Sequence, residues 1–190
     1  MANIASVAYA IEGPKEILQK INEAIVVAIH TDDNRYELYK AAEYLKLPIN
    51  DNTHLGGEIT EEPIWDEKTG ALKFWSEERW GLQNFAKLLE KQFPDIKVYW
   101  IVEECGMEIY CTNDKEGKYF PERYWVDTCI DGIYNSEYFM TEKDAYEWLD
   151  KLTYGRVKSE KDVEEFNEDY EDSGTDDENF IYIHKFEIID

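Results

Sequence analysis

Apolar residues in the first part of the chain change from strand-like to helix-like spacing. The run Asn3–Glu12 is rich in β-branched and aromatic residues and stops at Gly13, which predicts a strand. Apolar residues at helical spacing then continue as far as His30. A second helical pattern covers Arg35–Lys46 and is stopped by Pro48. The chain is therefore predicted to begin with one strand and two helices.

In the middle of the chain the pattern predicts a long loop, followed by a strand, a helix and a hairpin. Ile49–Gly70 shows no sustained periodicity and is predicted to be a long surface loop. Leu72–Ser76 predicts a strand, and Leu82–Phe93 carries an apolar face at helical spacing. The runs Ile96–Glu104 and Met107–Thr112 are separated by only two residues and predict a β-hairpin.

The last third predicts strands around two capped helices. Thr141 followed by Asp144 resembles a capping box at the start of a helix, and Ser159 followed by Asp162 repeats it. The predicted elements here are a strand at Tyr124–Ile130, a helix from Thr141, an acidic helix and loop at 159–179, and a strand at Phe180–Ile189. Because no internal repeat and no Pro- or Ser-rich linker interrupts the pattern, a single domain is predicted over residues 1–190.

The order of these elements predicts an α+β fold. A strand and helix, a second strand and helix, and then a hairpin fit an antiparallel sheet with helices packed on one face, in a split β-α-β arrangement. The acidic helix near the C-terminus would be an addition to that core.

Two stretches of the sequence also resemble a known family, the YubB-type ferredoxin-like domains of plasmids, phages and other mobile elements. The resemblance lies in Asn3…Val7…Ile11-Glu12-Gly13-Pro14 and in Trp75…Glu78-Arg79-Trp80…Leu88…Phe93-Pro94…Glu103-Glu104-Cys105-Gly106-Met107. It covers about half of the chain, and Ile4-Ala5 stand where that family usually carries Trp-Cys. The resemblance implies a ferredoxin-like fold and a mobile-element setting, and it implies no reaction.

Composition excludes several functional classes. Of the 190 residues, 43 are acidic and 20 are basic, which gives a formal net charge of −23. A protein that tracks phosphates or docks on anionic lipids needs a basic surface, so direct binding to nucleic acid or to a membrane is not expected. Hydrophobic residues make up 43%, which is enough to build a packed core.

The cysteines and histidines suggest no site of chemistry. Cys105, Cys111 and Cys129 are too few and too widely spaced for a disulfide framework or a zinc knuckle, so we expect buried thiols and a cytoplasmic protein. His30, His54 and His184 lie far apart, and no nucleophile or phosphate-binding motif is present. Glu103 and Glu104 are neighbours in a strand and should face opposite sides. We therefore predict a non-enzymatic protein with no cofactor and no metal.

The strongest signal is a run of acids near the C-terminus. Eight acids lie between Glu160 and Asp172, where Lys161 is the only base. As a helix this stretch would be about 20 Å long, with one negative charge per ~2.4 Å, against one per ~1.7 Å along duplex DNA. The residues predicted to contact a partner are Glu160, Glu164, Glu165, Glu168, Asp169, Glu171 and Asp172.

Two functional hypotheses follow from this run and from the aromatic content. In the first, the acidic face mimics the charge of a nucleic acid and occupies the groove of a basic protein, such as a host nuclease or defence protein. In the alternative, the protein is an interaction adaptor, and the acids only keep it in solution. An adaptor could expose one residue of each of the strand pairs Tyr99-Trp100 and Tyr124-Trp125, because adjacent residues alternate faces.

Overall fold

The protein is an α+β molecule that divides into two compact units. The computed structural model describes residues 4–50, 53–79, 83–171 and 179–189, without the side chains of residues 170 and 171. Unit 1 comprises Met1–Phe120 with Ile188–Asp190, and unit 2 comprises Pro121–Glu187. The sequence predicted one domain instead, because the chain passes from Phe120 to Pro121 with no change in composition that would mark a boundary. No helix in the described residues is long and apolar enough to cross a bilayer.

Unit 1 is built on an antiparallel sheet. Its strands are β1 (Ala5–Glu12), β2 (Gly56–Ile59), β3 (Ile64–Trp65), β4 (Leu72–Arg79), β5 (Lys97–Glu104) and β6 (Ile109–Thr112), and its helices are α1 (Lys15–His30), α2 (Glu37–Tyr44) and α3 (Asn84–Gln92). The strand order is β10-β6-β5-β1-β4-β2, where β10 is Glu187–Ile188, and β3 pairs with β4. The predicted first strand, its two helices and the β5–β6 hairpin are confirmed.

The main core of unit 1 lies between this sheet and its helices. Alternate residues of β1, namely Val7, Tyr9 and Ile11, are buried against apolar residues of α1, α2 and α3. Trp100 of β5 belongs to the same cluster, whereas Tyr99 points to the opposite face and packs against Tyr119, with ring centroids 5.0 Å apart. Neither ring of this pair is therefore an exposed anchor.

The stretch that was predicted as one long loop contains two strands. Within 49–70 the structure has β2 and β3, both paired with β4. The apolar pattern could not indicate them, because β3 is only two residues long and β2 begins with two glycines. Gly57 has no room for a side chain, since a Cβ there would lie 2.4 Å from Cδ1 of Leu38.

Unit 2 is a three-stranded antiparallel sheet with two helices. Its elements are β7 (Tyr124–Ile130), β8 (Ile133–Phe139), α4 (Glu142–Leu152), α5 (Glu160–Glu171) and β9 (Phe180–Lys185), and the strand order is β8-β7-β9. Asp131 and Gly132 form the two-residue turn between β7 and β8, with φ angles of 52° and 75°. Both angles are left-handed, as a type I′ hairpin turn requires.

Three expectations about the later part of the chain differ from the structure. β8 was not predicted, because none of its residues is fully buried and it shows no apolar alternation. The terminal run was predicted as one strand, but it breaks at Phe186 into β9 and β10. Cys105 was expected to be buried and is exposed, because it begins a short 3-10 turn between β5 and β6.

Candidate functional site

α5, the acidic helix, begins with polar contacts in its first turn. The amide of Asp162 donates to Oγ of Ser159 over 3.4 Å, and Oδ2 of Asp162 accepts a hydrogen bond of 2.9 Å from the amide of Lys158. These contacts confirm the capping signature predicted from the sequence. The hydrogen bond from the Lys158 amide lowers the pKa of Asp162, so this carboxylate stays charged at the positive end of the helix dipole.

The inner side of α5 is apolar and closes the core of unit 2. Phe166 is buried and packs with Leu149 of α4 and Ile181 of β9, and Val163 packs against the same cluster from its margin. The guanidinium carbon of Arg156 lies 5.2 Å from the centroid of the Phe166 ring. α5 therefore presents only its other side to solvent.

The exposed side of α5 carries five of the seven predicted contact residues. The exposed carboxylates are those of Glu160, Glu164, Glu165, Glu168 and Asp169. At about 100° per residue they occupy an arc of about 180°, opposite the buried stripe. Glu171 is the last residue of the helix, but its side chain is not described, and Asp172 lies outside the described residues. We call the five exposed carboxylates the acidic face.

One basic side chain of the helix partly neutralises the acidic face. Nζ of Lys161 lies 2.6 Å from Oε1 of Glu165, and this hydrogen bond raises the pKa of Lys161. In the part of the chain that the structure describes, the other four carboxylates of the acidic face form no ion pair. Most of the face therefore remains available to a positively charged partner.

The predicted aromatic pair of unit 2 is divided between the two faces of its sheet. The register pairs Tyr124 with Phe139, which packs against the helix-side core, and pairs Trp125 with Tyr138, which is 43% exposed. Trp125 is thus the member that lies on the face away from α4 and α5. Alternation along the strand correctly predicted that the two residues lie on opposite faces, but both are half-buried and neither is a fully buried core residue.

Unit 1 contains a buried carboxyl that was not predicted from the sequence. Glu78 of β4 is only 4% exposed, and it accepts hydrogen bonds from the hydroxyls of Tyr9 and Ser76. Burial raises its pKa, although both hydrogen bonds act in the opposite direction. The alternation of β4 does place position 78 on the same side as Leu72 and Phe74, and this was the signal that could have identified it.

Other polar groups of the described residues lie in separate places. His30 pairs with Glu62 over 2.9 Å on the surface of unit 1. A groove of about 760 Å³ beside α1 has Trp65 and Asp66 among its lining residues. Over residues 4–50, 53–79, 83–171 and 179–189, no three His, Cys, Asp or Glu side chains are grouped so that they could hold a metal ion.

Comparison with known families, with curated proteins and with solved structures finds no match for this chain. The acidic face is therefore interpreted from its own geometry and charge.

Proposed function

We propose that the protein is a non-enzymatic binding protein whose acidic face engages a basic protein partner and mimics the charge of a nucleic acid. The observation that carries this proposal is the exposure of five carboxylates along one side of a helix whose other side is fixed in a core. A solvated surface would not require that the charges be held on one fixed side of a helix.

The spacing of the charges supports mimicry of a phosphate backbone. From Glu160 to Asp169 the helix rises about 13.5 Å, so its five exposed carboxylates give roughly one charge per 3 Å. The phosphates of one nucleic-acid strand are spaced by about 3.4 Å along the axis. A groove that evolved to hold a single strand would therefore meet a similar axial spacing of negative charge on this helix.

The charge of the whole chain supports the same choice of partner. With a net charge of −23, the protein repels nucleic acids and anionic membranes and attracts basic surfaces over about a Debye length. Association with a basic protein would be accelerated by this field and slowed by added salt.

We further propose that unit 1 is a ferredoxin-like domain and that the protein belongs to a mobile genetic element. The first part is supported by the order β5-β1-β4-β2, with α1 following β1 and α3 following β4. The second part rests only on the family resemblance. A cytoplasmic site of action is supported by the absence of any disulfide among the three cysteines, all of which lie in the described residues.

The proposal can be tested by competition. A basic, non-sequence-specific nuclease is mixed with a labelled oligonucleotide, and the protein is added at low and at high salt. We expect displacement of the oligonucleotide at 50 mM salt and a large loss of displacement at 300 mM, because released counterions favour binding only when salt is low.

A charge-matched pair of variants makes the test specific. The first replaces Glu164, Glu165, Glu168 and Asp169 by Ser, and the control replaces four exposed acids of unit 1 by Ser. The control acids are Glu16, Glu61, Glu67 and Glu116. Displacement should be lost in the first variant and kept in the control. Equal behaviour of the two variants would show that net charge alone is responsible and would refute mimicry by α5.

A further inference from the structure

A surface rich in aromatic rings covers the face of the unit 2 sheet that lies away from α4 and α5. Alternate residues of β7, β8 and β9 meet there in three rows, as the strand register shows. The rows are Tyr138–Trp125–His184, Ser136–Asp127–Tyr182 and Tyr134–Cys129–Phe180. We call these nine side chains the aromatic face.

The rings of the aromatic face contact one another in one continuous series. In the first row Trp125 stacks on His184, with ring centroids 5.0 Å apart, and lies 6.3 Å from Tyr138. Tyr182 lies 6.2 Å from His184 and stacks on Phe180 at 4.9 Å, and Phe180 meets the edge of Tyr134 at 6.1 Å. Asp127 lies in the middle row, beside Tyr182.

The three tyrosines of the aromatic face are exposed, whereas Trp125, Phe180 and His184 are half-buried. Tyr134 is 62% exposed, Tyr182 is 52% exposed and Tyr138 is 43% exposed. Single exposed tyrosines are ordinary, but a contiguous patch of rings on one face of a sheet is typical of an interaction surface.

The charge of the aromatic face indicates what it would bind. Asp127 is half-buried between the rings, and among the described residues its side chain makes no hydrogen bond and no ion pair. None of the nine residues is Lys or Arg. Arg123 lies just before β7, and its Nη1 donates to the carbonyl of Glu122 over 2.9 Å. A carboxylate bordered by the negative faces of aromatic rings is a site for a cation.

Of the cations that proteins offer, the guanidinium group fits this arrangement best. It is planar and can stack on a ring such as Trp125 or Tyr182 while it donates two hydrogen bonds to the carboxylate of Asp127. The three rows span about 10 Å across the strands and about 14 Å along them, which matches an extended segment of about four residues. A phosphate-bearing chain would be repelled by Asp127.

We propose that the aromatic face binds an arginine side chain in an extended basic segment of a protein partner. This site is separate from the acidic face, because the buried side of α5 packs on the opposite side of the same sheet. The two surfaces can therefore be tested independently, and the failure of one does not decide the other.

The test uses the full chain and the peptide acetyl-Gly-Arg-Gly-Arg-Gly-amide at 150 mM NaCl. Binding is followed residue by residue in ¹H–¹⁵N NMR spectra. We expect shifts concentrated at Asp127, Cys129 and Tyr182, and an at least tenfold higher Kd when citrulline replaces arginine, because citrulline keeps the shape and lacks the charge. The substitution Asp127→Asn should raise the Kd at least tenfold, with the spectrum otherwise unchanged.

Matched controls distinguish binding of the peptide at the aromatic face from its general attraction to an acidic protein. Glu147→Gln removes one exposed carboxylate from α4, and Tyr154→Ser removes a tyrosine that is 96% exposed and lies outside the sheet. Both should bind like the unchanged protein, whereas Tyr182→Ser should bind at least fivefold more weakly. Three results would each overturn the proposal. They are NMR shifts confined to α5, an unchanged Kd for Asp127→Asn, and tighter binding of a neutral oligosaccharide or a thymidine oligonucleotide to the aromatic face.

Discussion

The side-chain amide of Asn167 in α5 exchanges two hydrogen bonds with the backbone of Ile181 in β9. Nδ2 of Asn167 donates to the carbonyl of Ile181 over 2.9 Å, and Oδ1 accepts from its amide at the same distance. The side chain thereby imitates one step of a β-ladder and joins the acidic helix to the edge of the sheet. Phe166, its neighbour in the chain, fills the core beneath.

We predict that Asn167→Ala loosens α5 without changing its charge. Because Ile181 is fully buried, its amide and carbonyl would both lose their partner, and the free energy of unfolding of unit 2 should fall by about 1–3 kcal/mol. Hydrogen exchange of the α5 amides, compared with that of the α1 amides, would measure the effect. Equal protection of α5 before and after the change would contradict this role.

The same variant probes whether the acidic face must be held rigidly. If a partner needs the carboxylates in fixed positions, Asn167→Ala should weaken binding although every acid is still present. Asn113 offers a comparable control in unit 1, because its Oδ1 accepts from the amide of Trp100 and its Nδ2 donates to the carbonyl of Val98. Asn113→Ala should cost similar stability and leave partner binding unchanged.

Glu78 should make the stability of unit 1 fall as the pH rises. Burial raises its pKa above the ordinary value of 4.5, so the folded protein holds this proton more tightly than the unfolded chain does. The resulting stability is fully present below pH 4.5 and is lost as the pH rises through the raised pKa. We therefore predict that the difference in unfolding free energy between the unchanged protein and Glu78→Gln declines from pH 4 to pH 8.

Denaturant titrations at several pH values would measure this difference. Glu77→Gln is the matched control, because Glu77 is the exposed neighbour in the same strand. Its difference from the unchanged protein should show little dependence on pH in that range. A flat profile for Glu78→Gln as well would mean that Glu78 does not titrate differently in the folded protein.

Gly57 should not tolerate a methyl group. In Gly57→Ala the new Cβ would meet Cδ1 of Leu38 at 2.4 Å and Cγ of Glu78 at 3.1 Å, and both neighbours are buried. We predict a loss of about 1–3 kcal/mol in unfolding free energy, as for other overpacked sites. Leu38→Ala opens that space, so the two changes together should cost clearly less than their sum. Additive losses would show that the clash is relieved in some other way.

Periodic segments of this chain were predictable from the sequence, whereas short strands and a strand exposed on both faces were not. α1 and β7 follow from apolar spacing and from turn residues, which act locally. β8 exposes residues on both faces, and its pairing with β7 depends on the Asp131-Gly132 turn, so its own residues carry little signal. Alternation would have placed Glu78 on the buried side of β4, but the strand predicted from apolar residues ended at Ser76, two positions before it.

Of the two candidate surfaces, one could be predicted from the sequence and the other depends on strand pairing. The acids of α5 are contiguous in sequence, so the acidic face could be predicted before the fold was known. The aromatic face brings Trp125, Tyr138 and Tyr182 together from three strands, and only the register of those strands makes them neighbours. Alternation indicated that Trp125 could be exposed, but nothing local indicated its companions.

Asp66 should respond to acid in the direction opposite to Glu78. Its Oδ1 accepts the amides of Lys68 and Thr69, each over 3.0 Å, and its Oδ2 lies 2.8 Å from Nζ of Lys73. The hydrogen bond from Lys73, followed by those from the backbone amides, lowers the pKa of Asp66 well below 3.8. These contacts close the turn between β3 and β4.

Because the pKa of Asp66 is lowered by folding, its contribution is present above pH 3.8 and is lost as the pH falls through the lowered value. We predict that the amides of Lys68 and Thr69 stay protected from exchange at pH 4 and become less protected only well below it. Asp66→Ala should remove this protection at every pH, and Glu67→Ala, at the exposed neighbour, should leave it unchanged. Loss of protection already between pH 5 and pH 4 would show that Asp66 titrates at its ordinary value and that Lys73 does not hold the turn closed.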